Sequence, residues 1–336
     1  LYSGLISGDT FNGSYTGAFS NANVGTGKTV TITSSYTGAD VNNYSVTNQS
    51  STTADISTKA LTATTSVSNK TYDATNSATA TLTLAGLVGS ETLGSTNTST
   101  FNNKNVGSNK TVTVNSITLA DGSNGGLAAN YSISTGQTTT ANITVKSLTV
   151  SGITASNKTY DSTTSATLGT GAVSYGGIVS GDDFTGSYSG VFADANVGTG
   201  KTVNITSSYS GADVSNYSVT DQSTTTANIT AKALTATASA SNKVYNGSSA
   251  ATVTLSLSGF IGSETVTSTN SSTFNNKNVG TGKTVTVNSI TLANGSNGGL
   301  AANYSISTGQ TTTANITAKS LTASASASNK VYDGLT

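Results

Sequence analysis

The sequence predicts an all-β protein: a tandem array of small β-sandwich-like domains, immunoglobulin-like or related, stacked end to end into a rod. A Lys-x-Tyr-Asp motif, with Asn for Asp in one copy, returns four times, and its tyrosines lie 88, 85 and 87 residues apart. Thr alternates with Val, Ile and Leu in short runs, which is the pattern of half-buried strands. No stretch repeats apolar residues at i, i+3, i+4 and i+7, so we expect almost no helix.

Two kinds of repeat alternate, and like repeats lie 173 residues apart. Type A carries Ser-Gly-Asp and Val-Gly-Thr-Gly-Lys, whereas type B carries Gly-Ser-Glu-Thr and Phe-Asn-Asn-Lys-Asn-Val-Gly. Each boundary falls before a Lys that is followed by a small residue and Leu-Thr. The predicted domains are 1–58, a partial type A repeat that lacks its opening strand; 59–145, type B; 146–231, type A; 232–318, type B; and 319–336, the start of the next repeat.

Each repeat is predicted to contain about six or seven short strands, enough for a two-layer sandwich. Turns are predicted where Asn precedes Gly, because these residues accept the positive φ of tight hairpins. The pairs are Asn12-Gly13, Asn246-Gly247 and Asn294-Gly295. The predicted core of the first whole repeat is Leu61, Val67, Leu82, Leu84, Phe101, Val112, Val114, Ile117, Tyr131, Ile133 and Ile143.

No Gly- or Pro-rich linker separates consecutive repeats. The strand-like segment 141–145 runs almost directly into 148–150, and we expect such a strand-to-strand junction to be stiff. Strands of about 8 residues give units roughly 30–40 Å long, so three to four units would form a rod of roughly 120–150 Å.

The composition excludes several classes of function. Only 8% of the residues are charged, compared with about a quarter in an average soluble domain. With 14 Lys, no Arg and no basic cluster, the chain has no electrostatic footprint for nucleic acid or anionic lipid. No apolar run reaches the length of a transmembrane helix, so we predict no membrane insertion. The sequence has no Met and no charged leader, and we interpret it as an internal segment of a longer chain.

The motif copies at 70–75, 158–163 and 330–334, with closing Ala-Asn-Ile-Thr and following Lys-Ala/Ser-Leu-Thr elements, resemble the YDG-type repeats of very large bacterial surface and secreted proteins. The resemblance covers essentially all 336 residues. It implies extracellular tandem modules of filamentous-haemagglutinin-like or other adhesin-like proteins, whose arrays act as stalks for a distal binding domain. It implies no enzymatic activity, and Asn246 in place of the family's Asp argues against a catalytic carboxylate there.

We predict no catalytic residue and interpret the chain as not an enzyme. His and Cys are absent, which removes the usual general base and the thiol nucleophile. The pair Asp182-Asp183 has only Asp9-Thr10 at the matching position, so we interpret it as a solvated turn. In the recurring Tyr-Asp we expect the Tyr to pack on the sheet with its hydroxyl at the edge and the Asp to close a turn. A ligand-facing pair is the alternative.

We predict no cofactor and no metal site. Transition metals lack His and Cys ligands, and calcium is the alternative because loops 121–124 and 294–297 are rich in oxygen atoms. The second of these loops has lost its carboxylate. Val-Gly-Thr-Gly-Lys at 24–28 and 197–201 lacks the spacing of a phosphate loop and is predicted to be a hairpin turn.

Two covalent features are left open. A Lys–Asn isopeptide bond requires a buried Lys, an Asn and a neighbouring carboxylate. Burying a Lys is costly unless it reacts or is paired, which weighs against such a bond. Its candidates are Lys110, Asn142 and Glu91, or Lys283, Asn315 and Glu264. Asn-x-Ser/Thr triplets such as 142–144 and 315–317 are expected by chance in this composition, and we assign no glycosylation site to them.

Three functions fit these features. The leading prediction is a structural stalk or filament segment on the bacterial cell surface or in a secreted fibre, whose partners are neighbouring repeats. The alternative is adhesion through Thr, Asn and Tyr surfaces to glycan, another solid surface or ice, with affinity that scales with repeat number. The third is head-to-tail assembly, in which 319–336 of one molecule adds as a strand to the partial repeat 1–58 of the next. The alternative to such assembly is that residues 1 and 336 mark only the limits of this piece of a longer chain.

Overall fold

The computed structural model describes residues 2–336, and the fold is all-β. The described residues form 29 strands and four 3-10 helices of three residues each, with no α-helix among them. Across residues 2–336, no helix has the length and hydropathy needed to cross a membrane. The chain divides into two compact units, Leu1–Leu148 with Gly177–Phe184 and Gly211–Val219, and Thr149–Gly176 with Thr185–Ser210 and Thr220–Thr336.

The first unit contains the partial repeat 1–58 and the whole repeat 59–145. The strands of the partial repeat are β1 (Asn12–Phe19), β2 (Gly25–Thr37) and β3 (Ser51–Ile56). They form one antiparallel sheet in the order β1-β2-β3. The strands of the next repeat are β4 (Lys59–Val67), β5 (Lys70–Thr71), β6 (Ser77–Ala78), β7 (Ala80–Ala85), β8 (Leu93–Phe101), β9 (Gly107–Asp121), β10 (Tyr131–Ile133) and β11 (Thr138–Thr144). These strands form two sheets, β10-β4-β7 and β5-β11-β9-β8-β6.

The opening strand β4 is the central strand of its sheet and pairs with β10 on one side and β7 on the other. Its first residues pair in parallel with β10, with Leu61 opposite Ile133, and its later residues pair antiparallel with β7 from Thr62 onward. Every second residue from Leu61 is at least half-buried, because successive side chains of a strand point to opposite faces. The partial repeat 1–58 lacks this strand, and its residues 44–46, which match 131–133, form no strand.

The strands of the repeat 146–231 are β12 (Lys146–Ser151), β13 (Thr154–Ala155), β14 (Lys158–Thr159), β15 (Ser165–Ala166), β16 (Leu168–Gly169), β17 (Ser174–Gly176), β18 (Thr185–Phe192), β19 (Gly198–Ser210), β20 (Tyr217–Thr220) and β21 (Thr224–Thr230). In the second unit, five of them form the sheet β14-β21-β19-β18-β15. This sheet has the same arrangement as the five-stranded sheet of the repeat 59–145.

The strands of the repeat 232–318 are β22 (Lys232–Ala240), β23 (Lys243–Val244), β24 (Ala250–Ala251), β25 (Val253–Ser258), β26 (Val266–Phe274), β27 (Gly280–Asn294), β28 (Tyr304–Ile306) and β29 (Thr311–Thr317). They form the sheets β25-β22-β28 and β23-β29-β27-β26-β24. Residues 319–336 form no strand and are exposed. The two type B repeats are therefore two-sheet units, and the fold is a tandem series of all-β repeats, as the sequence predicts.

Each repeat carries one 3-10 helix that ends on the Asn of its Asn-Tyr pair. The helices are Val41–Asn43, Ala128–Asn130, Val214–Asn216 and Ala301–Asn303. The residue before the helix is an Asp in type A repeats and a Leu in type B repeats, namely Asp40, Leu127, Asp213 and Leu300. This helix positions a buried or half-buried Tyr immediately after it.

The predicted core of the repeat 59–145 is confirmed in part. Six of the predicted residues are buried, namely Leu61, Phe101, Val112, Val114, Tyr131 and Ile143. Five are only half-buried, namely Val67, Leu82, Leu84, Ile117 and Ile133. Tyr72 was not among the predicted residues, yet it is only 1% exposed.

Some predictions of local structure are wrong. The whole repeats contain eight or ten strands, because the loops around the Lys-x-Tyr-Asp motif add strands of two residues. Asn12-Gly13 lies inside β1 rather than in a turn. Residues 24–28 and 197–201 are not hairpin turns but start β2 and β19 as bulges, where Gly27 and Gly200 have φ near +60°. Asn246-Gly247 is a turn, with Gly247 at φ +81°.

Candidate functional site at the repeat junctions

The Lys-x-Tyr-Asp loop is organised around its lysine. The Nζ of Lys70 donates hydrogen bonds to Oδ1 of Asp73 at 2.8 Å and to the carbonyls of Thr75 and Ser77 at 2.9 and 3.0 Å. The same Oδ1 accepts from the N–H of Thr75 at 2.9 Å. The aspartate therefore closes a turn, as predicted. The ammonium group also lies 5.6 Å from the ring centre of Phe101, within reach of a cation–π attraction.

The same loop recurs in the other copies of the motif. Lys158 Nζ lies 2.7 Å from Oδ1 of Asp161, and Lys243 Nζ donates to Oδ1 of Asn246 at 3.1 Å. Since an amide oxygen serves as well as a carboxylate oxygen, the loop needs a hydrogen-bond acceptor at this position rather than a negative charge.

The loop places Tyr72 against the following repeat. The N–H of Tyr72 donates to the carbonyl of Thr144 at 2.9 Å. The Tyr72 hydroxyl lies 3.1 Å from Oδ1 of Asp182 and 3.3 Å from Oδ1 of Asp213, and its ring packs edge-on against Tyr217 with centroids 5.6 Å apart. All of these residues belong to the first compact unit. The hydroxyl that was expected at a sheet edge is thus a buried contact between consecutive repeats.

Lys104 forms ion pairs with both carboxylates of this junction. Its Nζ lies 2.8 Å from Oδ1 of Asp213 and 3.4 Å from Oδ1 of Asp182, whose side chains are 10% and 2% exposed. Buried carboxylates without a cation would destabilise the fold. The hydrogen bond from Lys104 lowers the pKa of Asp213 below its usual value. Burial, followed by the hydrogen bond to Asp182, raises the pKa of Tyr217 to about 12.

An asparagine makes a second contact across each junction. Oδ1 of Asn216 accepts a hydrogen bond from the N–H of Val106 at 2.9 Å, and its Nδ2 lies 3.4 Å from Oδ1 of Asn105. The same backbone bond, also at 2.9 Å, joins Val24 to Asn130 and Val197 to Asn303. Each repeat therefore accepts a backbone hydrogen bond from the repeat before it.

The second unit contains the junction from the type A repeat 146–231 to the type B repeat 232–318. The Tyr160 hydroxyl donates to Oε1 of Glu264 at 2.8 Å, and the Tyr304 hydroxyl donates to Oε2 of the same carboxylate at 2.7 Å. The two tyrosine rings pack edge-on with centroids 5.6 Å apart. Burial and the bond to Glu264 raise the pKa of Tyr160 to about 12. A motif tyrosine thus enters the next repeat at this junction as well.

These contacts define a tandem-repeat protein whose all-β repeats are joined by burying the motif tyrosine of one repeat against the acidic end of the next. The YDG domain model matches residues 1–54, 57–141, 144–227 and 230–314. The chain therefore belongs to the YDG domain family, and the resemblance read from the motif is confirmed. No curated protein matches the chain.

The interpretation of Asp182-Asp183 as a solvated turn is wrong for Asp182, whereas Asp183 is exposed. The Asp182 side chain is only 2% exposed, because Tyr72 and Lys104 of the preceding repeat cover it. Asp183 accepts a hydrogen bond from the N–H of Ala212 at 2.9 Å. The sequence signal for this role was the acidic residue that recurs shortly before β1, β8, β18 and β26, namely Asp9, Glu91, Asp182 and Glu264.

The residues considered for an isopeptide bond make separate contacts. Lys110 Nζ donates to Oδ1 of Asn103 at 2.7 Å, Asn142 Oδ1 accepts from the N–H of Asn109 at 2.8 Å, and Glu91 accepts from the Tyr131 hydroxyl. In the second type B repeat, Lys283 donates to Asn276, Asn315 accepts from the N–H of Gly282, and Glu264 holds Tyr160 and Tyr304. In neither set do these hydrogen bonds join the Lys, Asn and Glu side chains to one another.

The two loops considered for calcium use their oxygen atoms in their own turns. Oδ1 of Asp121 accepts from the N–H of Ala128 at 2.7 Å, and Oδ1 of Asn294 accepts from the N–H of Ala301 at 2.8 Å. Residues 2–336 hold no group of three or more acidic, His or Cys side chains placed to bind a metal.

A cavity of about 520 Å³ opens in the partial repeat 1–58 and is lined by Phe11, Tyr36, Tyr44 and Val46 among others. Residues 44–46 match 131–133, which pair with the opening strand β4 in the repeat 59–145. The cavity therefore lies where the opening strand belongs in a whole repeat. It is a consequence of the partial repeat rather than a pocket that every repeat shares.

Proposed function

We propose that this chain is a non-catalytic stalk segment of a bacterial extracellular, adhesin-like fibre, and that it holds a binding domain away from the cell. The observation that carries the proposal is the recurrence of one junction contact. Tyr72 and Tyr160 each place a hydroxyl on an acidic residue of the next repeat, Asp182 and Glu264. A spacer needs a contact of this kind at every junction, because each repeat must hold its orientation against the next.

The short connections between repeats support the same proposal. Only Val145 separates β11 from β12, and only Ala231 separates β21 from β22. Bending at such a connection would withdraw the motif tyrosine from its buried site and leave carboxylates without their partners. The junction therefore favours one orientation, which a passive spacer requires and a flexible linker does not supply.

Negative-stain imaging of the full chain tests this proposal. We expect a straight particle of roughly 120–150 Å, from the strand rise and the number of units. The double variant Tyr72→Ala, Tyr160→Ala should give bent particles with a wide range of angles, whereas Tyr332→Ala should leave them straight because Tyr332 is exposed. Equally straight particles in all three forms would contradict the proposal that the tyrosine contacts at the junctions hold the repeats in one orientation. Binding to glycan that increases with repeat number would assign adhesion instead.

A further inference from the structure

The whole repeats are joined by two junctions that differ in charge. We call the junction between the repeats 59–145 and 146–231 the B-to-A junction, and the junction between 146–231 and 232–318 the A-to-B junction. Each lies within one compact unit. The Asn-Val-Gly and Asn-Tyr sequences that all of these repeats share give the matching positions in the two junctions.

The B-to-A junction contains two carboxylates and one cation. Nζ of Lys104 lies 2.8 Å from Oδ1 of Asp213 and 3.4 Å from Oδ1 of Asp182. The Tyr72 hydroxyl contacts the same two oxygen atoms, so the carboxylates lie close together. Because both are almost removed from water, they require the neighbouring ammonium group.

The A-to-B junction has neither the cation nor the second carboxylate. Ala195 occupies the position of Lys104, and Leu300 occupies the position of Asp213. The remaining carboxylate, that of Glu264, accepts one hydrogen bond from a tyrosine of each repeat, at 2.8 and 2.7 Å. A half-buried carboxylate with a donor on each oxygen atom is satisfied without a cation.

Asp213 has one oxygen atom for its own repeat and one for the neighbour. Its Oδ2 accepts from the N–H of Asp183 at 3.0 Å, whereas its Oδ1 contacts Lys104 of the preceding repeat. In the following type B repeat, the matching N–H is that of Thr265, and it donates to the carbonyl of Ser296 at 3.2 Å. A type B repeat thus closes this loop without an aspartate, so its leucine end is compatible with its own fold and changes what it presents to a neighbour.

We propose that these two junctions are interfaces that cannot be exchanged, and that their charges fix the order of the repeats. The lysine of a type B repeat selects a type A repeat as the next neighbour, and the alanine of a type A repeat selects a type B repeat. This inference goes beyond the stalk proposal and does not depend on it, because it concerns which repeats can be neighbours rather than what the repeats support.

The two mismatched orders are unfavourable to different degrees. A type A repeat followed by another type A repeat would place an alanine against two nearly buried carboxylates, which repel each other when no cation is present. A type B repeat followed by another type B repeat would place the lysine against one carboxylate and a leucine. The lysine then keeps one partner of two, so this second order is weakened rather than prevented.

Every junction inside the chain follows this pairing. The pairs, in chain order, are Ala22 with Leu127, Lys104 with Asp213, and Ala195 with Leu300. Inserting or removing a single repeat would create a mismatched junction, whereas inserting or removing an adjacent A and B repeat together keeps every junction matched. The pairing therefore gives a physical reason for the period of 173 residues.

A double-mutant cycle at the B-to-A junction tests the charge pairing. Lys104→Met keeps a long side chain without its charge, and Asp213→Asn keeps an oxygen atom for the N–H of Asp183. Each single change should raise the unfolding equilibrium constant of the full chain in urea. The effect of the double change should be smaller than the product of the single effects by at least about twofold. A smaller deviation would mean that the two residues act independently, and it would overturn the proposal.

Transferring the charges to the A-to-B junction tests the selection itself. Leu300→Asp places a type A end after a type A repeat, and it should raise the unfolding constant more than Leu300→Asn, which removes the same leucine without adding a charge. Adding Ala195→Lys to Leu300→Asp supplies the missing cation and should recover most of the loss. The matched control is Ala195→Met, a side chain of similar length without charge, which should recover none of it.

The rescue decides between order fixed by charge and order without a physical cause. The proposal is overturned if Ala195→Lys does not rescue Leu300→Asp, or if Ala195→Met rescues it equally well. If the Leu300→Asp chain does not fold, folded protein in the double variant with Ala195→Lys supports the proposal, and an unfolded double variant contradicts it. The shape of the particles in negative stain tests the stalk function separately, so the two proposals can fail independently.

Discussion

Oδ1 of Asn216 accepts a hydrogen bond from the backbone N–H of Val106 at 2.9 Å, although the two residues lie 110 positions apart and in consecutive repeats. The asparagine is 1% exposed. A buried backbone N–H must find an acceptor, so the repeat 146–231 completes the hydrogen bonding of the repeat before it.

Asn216→Ala should therefore destabilise the chain by about 1–3 kcal/mol, because the N–H of the half-buried Val106 loses its acceptor. Urea unfolding of the full chain measures the change. Asn43 occupies the same position in the partial repeat but is exposed. Asn43→Ala should therefore change the unfolding free energy by less than about 0.5 kcal/mol. Equal losses in the two variants would contradict the role given to the junction.

Tyr72→Ala should lower the unfolding free energy by about 3–5 kcal/mol, because it opens a cavity where a buried ring packs against Tyr217. Tyr72→Phe keeps the ring and removes only the hydroxyl contacts with Asp182 and Asp213, so its loss should be about 0.5–1.5 kcal/mol. The matched control is Tyr332→Ala, at the same motif position in a copy where the side chain is 93% exposed. Thermal unfolding that ranks the three variants in another order would contradict the assignment.

The fold could be predicted because its signals are local. The alternation of apolar and polar residues in 61–67 indicates which face of that strand is buried. The spacing of the motif gives the length of the repeat. The burial of Tyr72 could not be predicted in this way, because the residues that cover it, Asp182 and Tyr217, lie 110 and 145 positions further along the chain. Strand periodicity describes a residue's own sheet and contains no information about the neighbouring repeat.

One signal for the junction was nevertheless present in the sequence. Lys104 and Lys277 occur in type B at a position where type A has Ala22 and Ala195. An acid pair in type A, represented by Asp182 and Asp213, alternates with them one repeat later. Such alternation between neighbouring repeats indicates a contact across their boundary. By contrast, Asn12-Gly13 is a misleading signal, because this residue pair is typical of turns and yet lies in the strand β1.

The motif aspartate is expected to tolerate its amide. Asp73→Asn should change the unfolding free energy by less than about 0.5 kcal/mol, since the Lys70–Asp73 ion pair is partly exposed and Asn246 already fills this position in another copy. Asp73→Ala should lose about 0.5–1 kcal/mol, because Lys70 and the Thr75 N–H both lose an acceptor. Chemical unfolding of both variants provides the comparison, and a large loss in Asp73→Asn would mean that the charge itself is required.

Alkaline pH should weaken the junctions. The pKa values of Tyr160 and Tyr217 are raised to about 12 in the folded chain, compared with about 10 for an unperturbed tyrosine. A raised pKa means that these tyrosines stabilise the fold fully below pH 10 and lose that contribution as the pH rises to 12. Unfolding midpoints should therefore fall over this interval. The double variant Tyr160→Phe, Tyr217→Phe should show a smaller fall, and an identical pH profile would refute the explanation.

Acidic pH should erase the effect of removing Lys104. The folded-state pKa of Asp213 is lowered by its hydrogen bond to Lys104, so this contribution is complete above the usual aspartate pKa of about 4 and is lost as the pH falls through the lowered value. Lys104→Ala should therefore unfold earlier than the unaltered chain at pH 7, and the difference should shrink as the pH falls below about 4.

Unfolding midpoints of both chains between neutral and strongly acidic pH measure this difference. Lys277→Ala, at the matching exposed position, serves as the control, and its difference from the unaltered chain should be near zero throughout. A difference for Lys104→Ala that stays constant with pH would show that the lysine stabilises the junction by packing on Tyr72 rather than by its charge.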